Sequence, residues 1–147
     1  MKRLLCTLIY VFPLLALAQT TEVLNPDVKQ DTIDQTICTP GYTKSVRPAT
    51  SYTNGVKAKL MREQGIDQAR MHDFELDHII PLEIGGHPRN IHNLQLQPWE
   101  GDDGAKAKDK LEHRLHRLVC RRRITLSDAQ ACIWSNWKVC AAKYQRN

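Results

Sequence analysis

The chain of 147 residues lacks the motifs of several common enzyme classes. It has no Gly-x-Ser-x-Gly elbow, which argues against a serine hydrolase, and no glycine-rich phosphate loop. It has neither the His-Glu-x-x-His motif of zinc proteases nor a Cys-x-x-Cys pair of the kind that opens structural zinc sites. After residue 18 no apolar run approaches the roughly 20 residues that a membrane-spanning helix needs. Internal repeats and low-complexity tracts are absent as well.

The N-terminus has the pattern of an export signal. A short basic segment, residues 1–3, precedes an apolar run over residues 4–18 that ends in Ala-Leu-Ala, so a cut is expected before Gln19. The alternative is an uncleaved anchor, for which a run of 15 residues containing Pro13 is short. We therefore predict a signal peptide over residues 1–18, export to the periplasm or the extracellular space, and no stable membrane association after cleavage.

The mature chain would keep four cysteines. Their even number in an oxidising compartment predicts two disulfides, with three possible pairings. Cys132 and Cys140 would lie about 12 Å apart in one unbroken helix, which is too far to bridge, but a break near residues 135–136 would bring them together. We favour Cys38–Cys120 together with Cys132–Cys140.

The mature chain is mildly basic. Its 129 residues carry 19 Lys and Arg against 16 Asp and Glu, a net charge of +3, and are enough for one domain with a buried core. Eight basic residues lie between Lys106 and Arg123, a stripe suited to a phosphate backbone. The alternative is a solvated helix face in which Lys108 pairs with Glu112 one turn away.

The order of the predicted elements indicates an α+β fold. Residues 19–37 are polar, mixed in charge and without periodicity, so we predict a flexible leader there. The folded part should then begin at Cys38. The first predicted elements are a helix over 54–64, which Gly65 ends, and two strands over 74–80 and 94–97 on either side of a Gly85-Gly86 turn. A helix that ends near Val119 follows, with Leu111, Leu115 and Leu118 on its apolar face, and a last helix runs from Thr125 through Ile133.

Residues 75–93 contain the pattern that points to chemistry. Asp77 directly precedes His78 at the end of an apolar run, and Asn93 follows fifteen positions later. A carboxylate offers a hard oxygen to a divalent ion, and an imidazole with a pKa near 6.5 is a usable general base around neutrality. Because successive strand residues project to opposite sides, Asp77 would bind the ion while His78 activates water. One ion and one base are the minimum equipment for phosphodiester hydrolysis.

Strand, turn, strand and helix in this order resemble the HNH motif of ββα-metal endonucleases. His78 matches the first His of the motif, Asn93 its central Asn, and Asp77 the metal-binding residue before the His. Counting on by the usual interval reaches Asp102, where most members carry His or Asn. Over residues 38–120 the chain is similar to small exported bacterial HNH proteins.

The resemblance implies a fold and a set of roles. The fold would be α+β, a two-stranded antiparallel ββα-metal (HNH-like) core with additional flanking helices, over residues 38–147. His78 would be the general base, Asp77 and Asp102 the ligands of one divalent metal ion, and Asn93 the support of the loop that holds the histidine. Oxygen ligands favour Mg²⁺ or Mn²⁺, with Zn²⁺ as the alternative.

The remaining assignments are supporting ones. Glu75 lies on the same strand face as Asp77 and is expected to orient the site. Arg47, Lys106 and Lys108 flank the motif and are predicted phosphate contacts. Asp102 has a competing role as a helix N-cap.

Two functions are compatible with these features. The first is an exported metal-dependent endonuclease that cleaves nucleic acid, DNA in preference to RNA. The alternative is a non-catalytic, disulfide-stabilised module that binds nucleic acid or protein on the same scaffold.

Overall fold

The structure, a computed structural model, describes residues 22–144. The predicted signal peptide lies outside these residues. Within them no helix is long and apolar enough to cross a bilayer. The main elements are α1 (Tyr42–Val46), α2 (Thr50–Glu63), β1 (Phe74–His78), β2 (Leu94–Pro98), α3 (Ala105–Cys120) and α4 (Leu126–Tyr144), with 3₁₀ turns at Gln68–Asp73, Leu82–Ile84 and Ile91–Asn93. A two-stranded antiparallel hairpin followed by helices, with further helices flanking it, confirms the predicted α+β class.

The hairpin ends earlier than predicted. β1 and β2 pair in register from Phe74 opposite Pro98 to His78 opposite Leu94, whereas the sequence predicts a first strand that continues to residue 80. The backbone N–H and C=O of Ile80 are hydrogen-bonded to the side chain of Asn93 instead of a neighbouring strand. The ladder therefore stops where a side chain replaces the partner strand.

The two middle helices follow the predicted positions with local differences. α2 begins at Thr50, four residues before the expected start, and ends at Glu63. Gly65, with φ +67°, then reverses the chain, as the sequence predicts. In α3 the fully buried residues are Leu111, Leu115 and Val119. Leu118, which the sequence predicts on this face, is only partly buried, because the buried face continues eight residues after Leu111, at Val119.

The last helix runs to Tyr144, well past the expected end at Ile133, and is broken once. Asn136 is extended, with φ −169° and ψ 105°, and its Oδ1 accepts the backbone N–H groups of Lys138 and Val139. This side chain caps the second half of α4. The break brings the Cα atoms of Cys132 and Cys140 to 5.4 Å, and the two form a disulfide.

The second disulfide joins Cys38 to Cys120 at the end of α3, with a Cα–Cα distance of 5.6 Å. Both favoured pairings are thus present. Two disulfides are consistent with an oxidising compartment.

The prediction of a flexible leader is wrong for residues 22–37. This segment follows a series of turns and buries four apolar side chains in the core beside α3 and α4, namely Val23, Val28, Ile33 and Ile37. Its backbone also bonds to the Gly-Gly turn: His87 N–H donates to Val23 O at 2.7 Å, and Asn25 N–H to Gly85 O at 2.8 Å. The irregular spacing of these apolar residues matches neither a helix nor a strand, so periodicity misses them.

Candidate functional site

Asn93 fixes the loop that follows β1. Its side chain is fully buried; Oδ1 accepts from Ile80 N–H at 2.8 Å, and Nδ2 donates to Ile80 O at 3.0 Å and to His87 O at 3.1 Å. A Cβ at Gly86 would lie 1.7 Å from the carbonyl oxygen of Ile80, so only glycine fits at this approach. These contacts are the ones that the expected loop-supporting role requires.

His78 ends β1 with its ring oriented by the same loop. The residue is 7% exposed, and Nε2 lies 3.1 Å from the carbonyl oxygen of Pro88. Since a carbonyl can only accept, Nε2 carries the hydrogen, and in the neutral ring the lone pair is on Nδ1. Burial lowers the pKa of His78 below its usual value of 6.5, against the raising effects of the Pro88 carbonyl and Asp77. A neutral imidazole with a free Nδ1 lone pair is the form that a general base needs.

The carboxylate of Asp77, the first expected metal ligand, is engaged by other protein side chains. Its Oδ2 lies 2.9 Å from Nζ of Lys108, which α3 supplies, and accepts from Gln95 Nε2 at 3.3 Å. Lys108 also forms an ion pair with Glu112. The predicted phosphate contact by Lys108 is therefore wrong, because the side chain is 1% exposed and its ammonium is held among carboxylates.

A cavity of about 290 Å³ lies against the end of β1, between the hairpin and α3. Its charged and histidine lining residues are Arg47, Glu75, Asp77, His78, Glu83, Asp109, Glu112 and His113. A neighbouring cavity of about 260 Å³ shares Arg47, Glu75 and His78 with it and adds Lys57 and Trp99. Arg47 is exposed and lines both cavities. Its position is compatible with the predicted phosphate contact.

Two carboxyl groups of the cavity have strongly raised pKa values. Burial, together with the charges of Asp77 and Asp109, raises the pKa of Glu75 to about 7, although Arg47 and Lys108 oppose the rise. Burial raises the pKa of Glu112 to about 7, against the ion pair with Lys108. For Lys108 burial lowers the pKa, but Glu112 and Asp77 outweigh it, so the net pKa is raised and the side chain stays charged. The cavity thus combines ionised and protonated groups near neutrality.

Asp102 lies outside this cavity. It is exposed in the loop between β2 and α3 and is not among the residues that line the cavity with Asp77. Its neighbour Asp103 forms an ion pair with Lys138 of α4. The N-cap of α3 is Gly104, so the competing capping role of Asp102 is not seen either.

Lys106 also lies apart from His78. It is exposed, pairs with Glu100, and lines a third groove with Arg70, Phe74 and Trp99. Of the three residues predicted to contact phosphate, only Arg47 is both exposed and among the residues that line the cavity with His78.

Sequence reasoning missed four residues that surround His78. Glu83 comes from the 3₁₀ turn after β1; Asp109, Glu112 and His113 come from one face of α3. The spacing i, i+3, i+4 of the helical three was a readable signal, since such residues share a face. Glu83 carried no comparable signal, because only the packing of the turn brings it to the cavity.

The predicted ligand pair does not fit a metal ion. Asp77 is already neutralised by Lys108, and Asp102 does not line its cavity. Among residues 22–144, the one group of three or more candidate ligand atoms within 4.8 Å of one another is Cys38, His116 and Cys120. The two sulfurs of that group are bonded to each other, so they are not available as thiolates.

Comparison with protein-family models, with curated proteins and with solved structures finds no match to this chain.

Proposed function

We propose that the protein is an exported endonuclease that hydrolyses phosphodiester bonds of nucleic acid, DNA in preference to RNA. The observation that carries the proposal is His78, a buried neutral imidazole whose Nε2 is fixed on the Pro88 carbonyl and whose Nδ1 is left to accept a proton. Resemblance of residues 75–93 to the HNH motif supports the same assignment. Export rests on the signal-peptide pattern of residues 1–18 and is supported by the two disulfides.

Each step is assigned to a residue of the chain. Nδ1 of His78 takes a proton from water as the water oxygen bonds to phosphorus. Arg47, exposed in the same cavity, pairs with the phosphate oxygens as negative charge builds on them. Asn93 holds the loop and thereby the ring of His78.

The leaving oxygen also needs a proton. Glu75 lines both cavities with His78, and with its pKa at about 7 it is partly protonated near neutrality. We assign proton donation to Glu75, which goes beyond the orienting role that the sequence suggests. The requirement for Mg²⁺ or Mn²⁺ stays a prediction, and no step above depends on it.

Cleavage assays test the proposal. Mature protein is incubated with plasmid, linear DNA and RNA, in chelator and with added Mg²⁺ or Mn²⁺. His78→Ala should lower the cleavage rate by about 10²–10⁴-fold, the usual contribution of a general base. His92→Ala is the matched control, because His92 is exposed and is not among the residues that line either cavity. Absence of cleavage of every substrate under every condition would refute the proposal.

A second function has one observation in its favour. The Asp77 carboxylate, expected to face an ion, is buried against Lys108 and Gln95. A scaffold that binds nucleic acid or protein without cutting it would keep the fold and lose this ligand. Retention of DNA in a mobility-shift assay, with no cleavage under any condition, would support this alternative.

A further inference from the structure

Lys108 is the most completely buried charged side chain described in the structure, with 1% of its surface exposed. Its Nζ lies 2.9 Å from Asp77 Oδ2, donates to the carbonyl oxygen of His78 at 2.7 Å and forms an ion pair with Glu112. An ammonium group has three N–H donors. All three therefore have an acceptor inside the protein.

The acceptors come from two elements that the fold fixes independently. Asp77 and His78 end β1, while Lys108 and Glu112 lie one turn apart on α3. Glu112 is 9% exposed and Asp77 is 8% exposed, so both carboxylates are largely shielded from bulk water. A cation between two buried carboxylates stabilises them, because isolated buried charges are costly.

We infer that Lys108 is the resident cation of the Asp77–Glu112 carboxylate pair, and that this pair binds an ammonium where the family resemblance implies a divalent metal ion. The side chain is anchored on α3 and saturated with acceptors, so displacing it would leave an ammonium buried without partners. Lys108 is also a positioning residue, since its bond to the His78 carbonyl ties α3 to the end of β1. The inference concerns cation binding and does not require that the protein be a nuclease.

Manganese binding to the full mature protein tests the inference. Titration is followed by calorimetry for the wild type, Asp77→Asn, Lys108→Ala and the double variant. The wild type and Asp77→Asn should bind Mn²⁺ alike. Lys108→Ala should gain a site that binds roughly tenfold or more tightly than anything in the wild type, and the double variant should lose that site. Lys110→Ala, exposed on the same helix, is the matched control and should behave as the wild type.

Two results would overturn the inference. One is a Mn²⁺ site in the wild type that Asp77→Asn removes. The other is a Lys108→Ala variant with a native circular dichroism spectrum that gains no site.

A measurement on the wild type covers the case in which Lys108→Ala does not fold. The buried ammonium should give a slowly exchanging ¹⁵N signal that stays unchanged in millimolar Mg²⁺ or Ca²⁺. Loss or a large shift of this signal on adding either ion would show that the cation is displaced. Because neither readout uses cleavage, failure of the nuclease proposal and failure of this inference give separate results.

Discussion

Replacement of Asn93 by alanine is the sharpest test of how the hairpin loop is held. The side chain makes three hydrogen bonds: from Ile80 N–H, and to the carbonyl oxygens of Ile80 and His87. Asn93 itself is 0% exposed. Alanine removes every one of these bonds and leaves three backbone groups without their partner.

The magnitude follows from those three groups. A buried polar group left unsatisfied costs about 1–3 kcal/mol. A water molecule entering the vacated space can restore part of the bonding, which favours the lower half of that range. We therefore expect Asn93→Ala to lower the free energy of unfolding by about 3–6 kcal/mol, a large share of the 5–15 kcal/mol typical of a domain.

Equilibrium unfolding in guanidinium chloride, with both disulfides intact, measures this loss. Asn90→Ala is the matched control: Asn90 lies in the same loop and makes two side-chain hydrogen bonds, to His92 N–H and Glu22 O, but is less buried. It should cost about 1 kcal/mol, since its partners can turn to water. Equal losses in the two variants, or a loss below about 1 kcal/mol for Asn93→Ala, would refute the reasoning.

Three further predictions concern the disulfides and the cavity. Loop-closure entropy predicts a cost of about 4.5 kcal/mol for removing Cys38–Cys120, whose cysteines are 82 residues apart, and about 2.5 kcal/mol for removing Cys132–Cys140, whose cysteines are 8 apart. Thermal unfolding of the two double-serine variants gives the order of the two losses, and a reversed order would contradict this prediction. The profile of kcat/KM against pH should be bell-shaped, with an acid limb below 6.5 from His78 and an alkaline limb near 7 from Glu75; an acid limb above 6.5 would contradict the lowered pKa of His78. Folding raises the pKa of Glu75 from 4.5 to about 7, so the folded state binds its proton more tightly and stability falls as pH rises through that window. Glu75→Gln should reduce this fall in a urea unfolding series, the rest being due to Glu112, and should also slow cleavage; an unchanged pH dependence would contradict the prediction.

Local patterns were enough to predict the hairpin and the helices α2 and α3. The strand-like runs on either side of the Gly-Gly turn place β1 and β2, and the apolar spacing of α3 places its buried face. Helix geometry linked the pairing of Cys132 with Cys140 to a break near residues 135–136, because eight residues of unbroken helix are too long for a disulfide, and the structure shows both. The expected loop-supporting role of Asn93 also rests on a local motif.

The cavity around His78 depends on contacts between segments far apart in sequence. The packing of α3 against the hairpin decides whether Lys108 is exposed to solvent or contacts Asp77. The sequence pattern of a basic residue on a polar helix is the same in both cases. The prediction of a flexible leader was wrong for a similar reason. Val23 and Ile33 are buried by residues far away in sequence, and helix or strand periodicity within the segment does not indicate this.

The sequence by itself indicated the hairpin, α2, α3 and the Asp77–His78 pair, because these depend on spacing within one segment, and it favoured without deciding the disulfide pairing. Only the tertiary structure decided what surrounds that pair. Burial and charge compensation act through space, so they placed Lys108 and Glu112 against Asp77 and left Asp102 outside the cavity.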